Sequence, residues 1–284
     1  MREFPTIPAL RTFLRQRRAE GKQVGFVPTM GALHDGHLRL VDEARRLSDV
    51  VVMSIFVNPL QFGPGEDFAQ YPRPIERDRA LASARGVDAL FVPDVSEMYP
   101  PGRSTLVVPG PAADRWEGAA RPGHFAGVLT VVAKLFLIVQ PDVAVFGQKD
   151  WQQVVLVRRM VRDLDFPVEL AVLPTVREAD GLARSSRNAY LDEESRRDAA
   201  GLSAALRAAV ERYRGGVTDP AALEAAARGA LEVHPGARAE YIAVVDPVDL
   251  APVSVAADDT IVAVAAQVGA TRLIDNVTLG QGIG

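Results

Sequence analysis

The 284-residue sequence contains no cysteine, which excludes disulfides, zinc thiolate sites and thiol nucleophiles. Lysine is nearly absent too: Lys22, Lys134 and Lys149 are the only three, the other basic residues being arginine, and there are only four histidines. Positive charge is not in excess. A formal net charge of −4 leaves no electrostatic footprint for a nucleic-acid partner. Long apolar runs are missing as well. The longest, over residues 128–139, is interrupted by Lys134 and falls short of the roughly 20 residues that span a bilayer. Residues 1–23 are rich in charge and lack the apolar core of a signal peptide. The expectation is a soluble, cytoplasmic chain with no membrane partner. Three familiar fingerprints are also lacking: the Walker Gly-x-x-x-x-Gly-Lys loop, the Gly-x-Gly-x-x-Gly dinucleotide motif and a Ser-centred nucleophile elbow.

What is present reads as an ordinary globular protein, 48% hydrophobic and 24% charged, with a length that suits about two domains. Up to about residue 175, short apolar runs alternate with helical periodicity. Strands are predicted over 24–27, 50–57, 89–92, 143–146 and 168–173, and helices over 36–47, 76–85, 125–139 and 152–162. The unbroken run at 50–57 marks a strand buried on both faces. Repeated β-α-β units predict an α/β, doubly wound, Rossmann-like parallel sheet, which takes ligands beyond the carboxyl ends of its strands. The pattern then changes: helices over 193–214 and 220–233, the second capped by Asp219 with Pro220 at its first position, precede strands over 239–245, 260–266 and 271–277. The expected division is a domain of residues 1–175 and a smaller α+β domain of 176–284.

Three segments carry chemistry. The first is Pro28-Thr29-Met30-Gly31-Ala32-Leu33-His34-Asp35-Gly36-His37, where a strand hands over to a helix. Gly36 lets an anion approach, helix N-terminal amides favour it, and imidazole donors can stabilise charge on a departing phosphate. Two capped surface histidines, or a metal-binding pair, fit the same spacing. The second is Phe146-Gly147-Gln148-Lys149-Asp150, again opening a helix, with a mobile point charge in Lys149 and a ribose partner in Asp150; a plain helix start capped by Asp150 is the alternative. The third, Thr175 to Asn188, places Ser185 and Ser186 between Arg184 and Arg187 as an anion cradle or a polar linker. Asn58 and Gln61 are neutral amides suited to a small ligand's hydroxyls and carboxylate, and Arg121 and His124 open the long helix near the same sheet mouth. Histidines with a late Ser/Arg loop, and no Walker lysine, point to adenylyl transfer.

The H-x-G-H motif with that loop resembles the nucleotidyltransferase superfamily. PTMGALHDGH, FVNPLQF, RPGHFAGV, FGQKDWQQ and PTVREADGLARSSRNAYL, in that order, resemble the pantothenate synthetase (pantoate–β-alanine ligase) family over residues 25–191. The resemblance implies a cytoplasmic, homodimeric ligase that joins pantoate to β-alanine with ATP and Mg²⁺ through a pantoyl adenylate. A regulator that binds ATP without turnover, or an adenylyltransferase for another acid, are the alternatives. By the resemblance, residues Pro28, Thr29, Met30, Gly31, Ala32, Leu33, His34, Asp35, Gly36 and His37 hold ATP, with His37 the acid/base group and His34 its phosphate-binding partner. Gly147 and Asp150 hold the ribose, Lys149 the phosphates and Val176 the adenine through its backbone, with Gln148 also in the ATP-binding set. Arg184, Ser185, Ser186 and Arg187 close on the phosphates, 176–284 serving as a lid. Gln61 and Gln153 bind pantoate, Gln61 also lying near β-alanine with Asn58 adjacent; Arg121 is a substrate-binding candidate from its place at the helix entrance alone. The family pattern carries an apolar residue, often methionine, where this chain has Arg184. No metal-ligand set is legible; Glu76 and Asp78 lie in a plausible region, but Mg²⁺ is expected to travel on ATP.

Overall fold

The structure, a computed structural model, describes residues 1–283. In chain order its elements are β1 (Arg2–Phe4), α1 (Ile7–Ala19), β2 (Val24–Thr29), α2 (Asp35–Leu47), β3 (Val50–Ile55), α3 (Ile75–Ala84), β4 (Ala89–Phe91) and the short α4 (Val95–Met98) and α5 (Glu117–Ala120). These are followed by α6 (His124–Val139), β5 (Val143–Gly147), α7 (Trp151–Asp163), β6 (Glu169–Leu173), α8 (Glu193–Arg214), α9 (Pro220–Glu232), β7 (Ala237–Val245), β8 (Ile261–Val268) and β9 (Thr271–Thr278). The chain divides into two compact units. One comprises Met1–Ala113, Gly118–Gly147 and Leu156–Leu173; the other comprises Asp114–Glu117, Gln148–Val155 and Pro174–Gly284.

The first unit holds a six-stranded, wholly parallel sheet in the order β1-β4-β3-β2-β5-β6. All six residues of β3 are buried, as expected for a strand covered on both faces. The edge strand β1 was not predicted; its three residues, Arg2-Glu3-Phe4, are too few and too polar to show an alternation. Chain order reverses between β2 and β5, and this is the topological switch point. There β2 pairs with β3 along its full length, Val24 to Thr29, but with β5 only at Gly25 and Phe26. The two central strands therefore part toward their carboxyl ends, where α/β sheets receive ligands. Val27, Met53, Leu90 and Val145 from four strands form one core with Val41 and Ala44 of α2.

In the second unit β7, β8 and β9 form an antiparallel sheet. It packs on α8 and α9 through Leu202, Leu206, Leu223, Val262 and Val264, all almost completely buried. Asp192 and Asp219 cap the two helices by accepting from Ser195 and Ala221 amides. Among the described residues no helix is long and apolar enough to cross a membrane.

Candidate active site

In the first unit, the segment after β2 is a turn whose backbone donors are spent inside the protein. Thr29 Oγ1 donates to the Ser54 carbonyl and accepts from the Gly31 amide at 3.1 Å. The buried Asp78 accepts from the Ala32 and Leu33 amides, one on each carboxylate oxygen, both at 2.8 Å. Gly31 has φ +84°, and a Cβ there would come within 2.9 Å of both Asp78 Oδ2 and Ile55 Cγ2, so only glycine fits. Ala32 also lies in the left-handed region. The amides of Gly31, Ala32 and Leu33 are thus engaged within the protein.

His34 then caps α2, its Nδ1 accepting from the Gly36 amide at 3.1 Å, while His37 Nδ1 accepts from the His34 amide at 3.3 Å. The two rings lie 4.1 Å apart between centroids. An Nδ1 that accepts leaves the ring proton of a neutral imidazole on Nε2. Both histidines are therefore set as Nε2–H donors. This capping explains the three-residue spacing and at the same time fixes the tautomer.

Asn58 is fully buried. Its Oδ1 accepts from the Leu60 amide and from Tyr99 O–H at 2.8 Å, and its Nδ2 donates to the Gly127 carbonyl at 3.1 Å and to Gln61 Oε1 at 3.0 Å. A backbone donor on one end and a backbone acceptor on the other fix the amide orientation, and Asn58 passes that polarity to Gln61. The Gln61 NH₂, 3.2 Å from Met30 Sδ, is the end left for a ligand acceptor. Close packing of α6 on this turn depends on Gly127, where a Cβ would lie 2.1 Å from the Leu60 carbonyl oxygen.

Arg121 does not present a loose charge. It makes a bidentate pair with Glu66 and donates to the Gln61 carbonyl, which also accepts from His124 Nδ1–H at 2.7 Å. It thus holds the Gln61 backbone. Burial pushes the Glu66 carboxyl up, but the Arg121 hydrogen bonds and charge, with the Gly63 amide and His124, outweigh it and hold it below its ordinary 4.5. With a depressed folded value, the pair's stabilisation is complete above about 4.5 and is lost as pH falls through the lower folded value. Glu66→Gln should therefore be less stable than wild type at neutral pH, and the gap should be smaller at an acidic pH below the ordinary carboxylate value. Urea unfolding at the two pH values checks this.

In the second unit, Gln148 to Asp150 form a single 3₁₀ turn ahead of α7, with Gln153 half-buried in the first turn of that helix. Asn276 donates to the Gln148 and Lys149 carbonyls at 2.9 and 2.8 Å. Val176 begins a small hairpin: its carbonyl accepts from the Arg184 amide, Arg177 bridges Ala183, and Gly181 turns at φ +93°. Ser185 caps the 3₁₀ turn of Ser186 to Tyr190 by accepting from the Arg187 amide at 3.3 Å. The Arg184 guanidinium lies 3.9 Å from Glu178, toward the hairpin's own carboxylate. Burial raises the Glu178 carboxyl, yet Arg196, Asn188 and Arg184 together leave it below the ordinary range.

The sequence reading did not find Asp78 in this role, nor Tyr99, Glu66 or Asn276. Among the described residues no group of three or more acidic or histidine side chains is placed to hold a metal. Glu76 is exposed and paired with Arg79, and both Asp78 oxygens are taken by backbone amides.

The model of the family described as pantoate-beta-alanine ligase matches residues 2–278. The chain belongs to the pantoate–β-alanine ligase family. The pantothenate synthetase of Moorella thermoacetica is 52% identical over 279 residues, covering 98% of this chain and 99% of that one. That of Chloroflexus aurantiacus is 54% identical over 94% of this chain and 96% of its own. Among solved structures, pantothenate synthetase from Thermus thermophilus superposes with a TM-score of 0.94 at 53% identity, covering 98% of this chain and 99% of that one. Pantoate-beta-alanine ligase from Francisella tularensis, complexed with beta-gamma ATP and β-alanine, has a TM-score of 0.81 at 33% identity and full coverage of both chains. The α/β sheet and the small α+β unit expected from the sequence are the architecture of this ligase family.

Proposed function

We propose that this ligase condenses pantoate with β-alanine using ATP, by way of a pantoyl adenylate. The observation that carries the reading is the family match along nearly the whole chain with the H-x-G-H pair intact and set in one tautomer. The pantoate carboxylate attacks the α-phosphorus, the bond to the bridging oxygen breaks, and pyrophosphate leaves with the electron pair. His37 and His34, as Nε2–H donors, stabilise the negative charge that gathers on the departing oxygens. The β-alanine amine next attacks the acyl carbon, loses a proton, and AMP departs from the acyl C–O bond. No covalent enzyme intermediate is needed, in keeping with a chain that has no cysteine.

Gln61 offers its NH₂ to a pantoate oxygen, with Gln153 as the second pantoate amide. Asn58 acts by orienting Gln61, and Arg121 by holding its backbone. Lys149 takes the phosphates, Gly147, Gln148 and Asp150 the ribose side and Val176 the adenine, while Ser185, Ser186 and Arg187 cradle the phosphates; Arg184 contributes its backbone. Mg²⁺ enters on the nucleotide as part of the substrate, because the acidic residues near the turn are already committed. The same reading takes residues 1–175 as the ATP- and pantoate-binding domain, 176–284 as the lid, and the enzyme as a cytoplasmic homodimer. That the Francisella tularensis relative is complexed with beta-gamma ATP and β-alanine supports the substrate assignment.

The test is nucleotide product analysis with Mg-ATP, adding pantoate and β-alanine separately and together. AMP and pyrophosphate produced in turnover only with both are expected. ATP binding without AMP under any combination would make the chain a regulator, and AMP formed only with other acids would move it to a different adenylyltransferase.

A further inference from the structure

Asp275 and Asn276 are adjacent residues of β9, 2% and 3% exposed, a costly pair of polar side chains to bury without purpose. Successive residues of a strand point to opposite faces, so the two reach different segments. Asp275 makes a bidentate pair with Arg177, at 2.6 and 3.1 Å, and both side chains are nearly inaccessible. The same guanidinium donates to the Gly181 carbonyl, spanning the hairpin that runs from Val176 to Arg184. Asn276 uses both N–H bonds of its amide on the Gln148 and Lys149 carbonyls. In return, Gln148 Nε2 donates to Thr278 Oγ1 at 3.2 Å and to Asn276 Oδ1 at 3.4 Å. Neither Asp275 nor Asn276 belongs to the sequence motifs. All of these residues lie in the second unit.

We propose that Asp275 and Asn276 are positioning residues for ATP, one fixing the adenine and phosphate loop through Arg177, the other fixing the backbone from which Lys149 projects. The inference rests on the reading that Lys149 and residues 176–187 handle ATP. A carbonyl pair bound by one rigid amide cannot rotate independently, so the Cα–Cβ direction from which the Lys149 side chain starts is set before nucleotide arrives. A mobile, four-carbon cation gains most from such preorganisation. One strand thereby holds two ATP segments in a common register.

Steady-state kinetics of Asn276→Ala, Thr278→Val, Lys149→Ala and the Asn276→Ala/Lys149→Ala double variant test this. Asn276→Ala should lower kcat/KM for ATP by about 10-fold, with KM for pantoate and β-alanine within about 2-fold of wild type. Thr278→Val, a milder loosening of the same turn, should shift kcat/KM for ATP in the same direction by about 2-fold. If Asn276 acts through Lys149, the double variant loses little more than Lys149→Ala alone. A folded Asn276→Ala with unchanged ATP kinetics, or losses that multiply in the double variant, would overturn the proposal. Should Asn276→Ala not fold, Thr278→Val decides, and wild-type ATP kinetics there overturn it equally. If Lys149→Ala itself leaves ATP handling untouched, the ATP reading fails and the positioning claim with it.

Discussion

His37→Ala is expected to slow adenylate formation by about 10²- to 10³-fold, the usual loss for one donor that meets developing negative charge. Pantoate-dependent exchange of pyrophosphate into ATP measures it without the β-alanine step. The variant removes two things at once: the Nε2–H proposed to meet the developing charge and the Nδ1 that accepts from the His34 amide. Two further substitutions separate them. Asparagine places an acceptor where Nδ1 stands, and glutamine places a donor near Nε2. His37→Asn should therefore be as stable as wild type yet as slow as the alanine variant. His37→Gln should recover part of the rate at reduced stability. A His37→Asn enzyme with wild-type exchange would show that His37 serves only as the first-turn partner of the helix cap.

How much of this was legible from residues alone follows from the range of the interaction. The helix 193–214 has the bounds the sequence predicts, because its cap at Asp192, its alanine-rich body and its glycine stop are all local. β3 announced its burial by composition, and the H-x-G-H spacing announced a helix start. What supports the site is written across the chain instead. The amide of Ala32 finds its acceptor 46 positions away at Asp78, and the carbonyl of Lys149 its donor 127 positions away at Asn276. Neither residue carries a local pattern that names its partner: Asp78 sits in a predicted helix and Asn276 in a predicted strand, and nothing nearby in sequence points to the backbone groups they bind. The role of Arg121 was obscured in the same way: a basic residue at a helix entrance suggests a ligand, and only the fold brings Glu66 against it. Motifs name the groups proposed to touch substrate. Tertiary structure names those that aim them.

Asp78 is where that distinction has the second large consequence. Burial pushes its carboxyl up, against the pull of the Leu33 and Ala32 amides and of Arg77, and the net value lies above the ordinary 3.8. A raised folded value means that the native state holds the proton more tightly than the unfolded chain does. The contribution of Asp78 to stability accordingly falls as pH rises from 3.8 through the raised value, and it gains nothing above that. Ionised, Asp78 therefore stabilises the fold less than it would protonated. It is a good choice for a turn that must present two histidines, because a carboxylate alone offers two acceptors to two successive amides. Asp78→Asn keeps the shape and one acceptor, loses the other, and sheds the buried charge. These effects oppose each other, so stability should change by only about 1 kcal/mol, while kcat/KM for ATP falls by about 100-fold as the turn relaxes. Asp78→Ala, with both buried amides unpaired, should lose about 2–6 kcal/mol as well as activity. Thermal unfolding and ATP kinetics on the same Asp78→Asn sample separate the possibilities: a destabilised but active enzyme would make Asp78 a strut, whereas a stable and slow one places it behind the histidines, holding the turn from which they act.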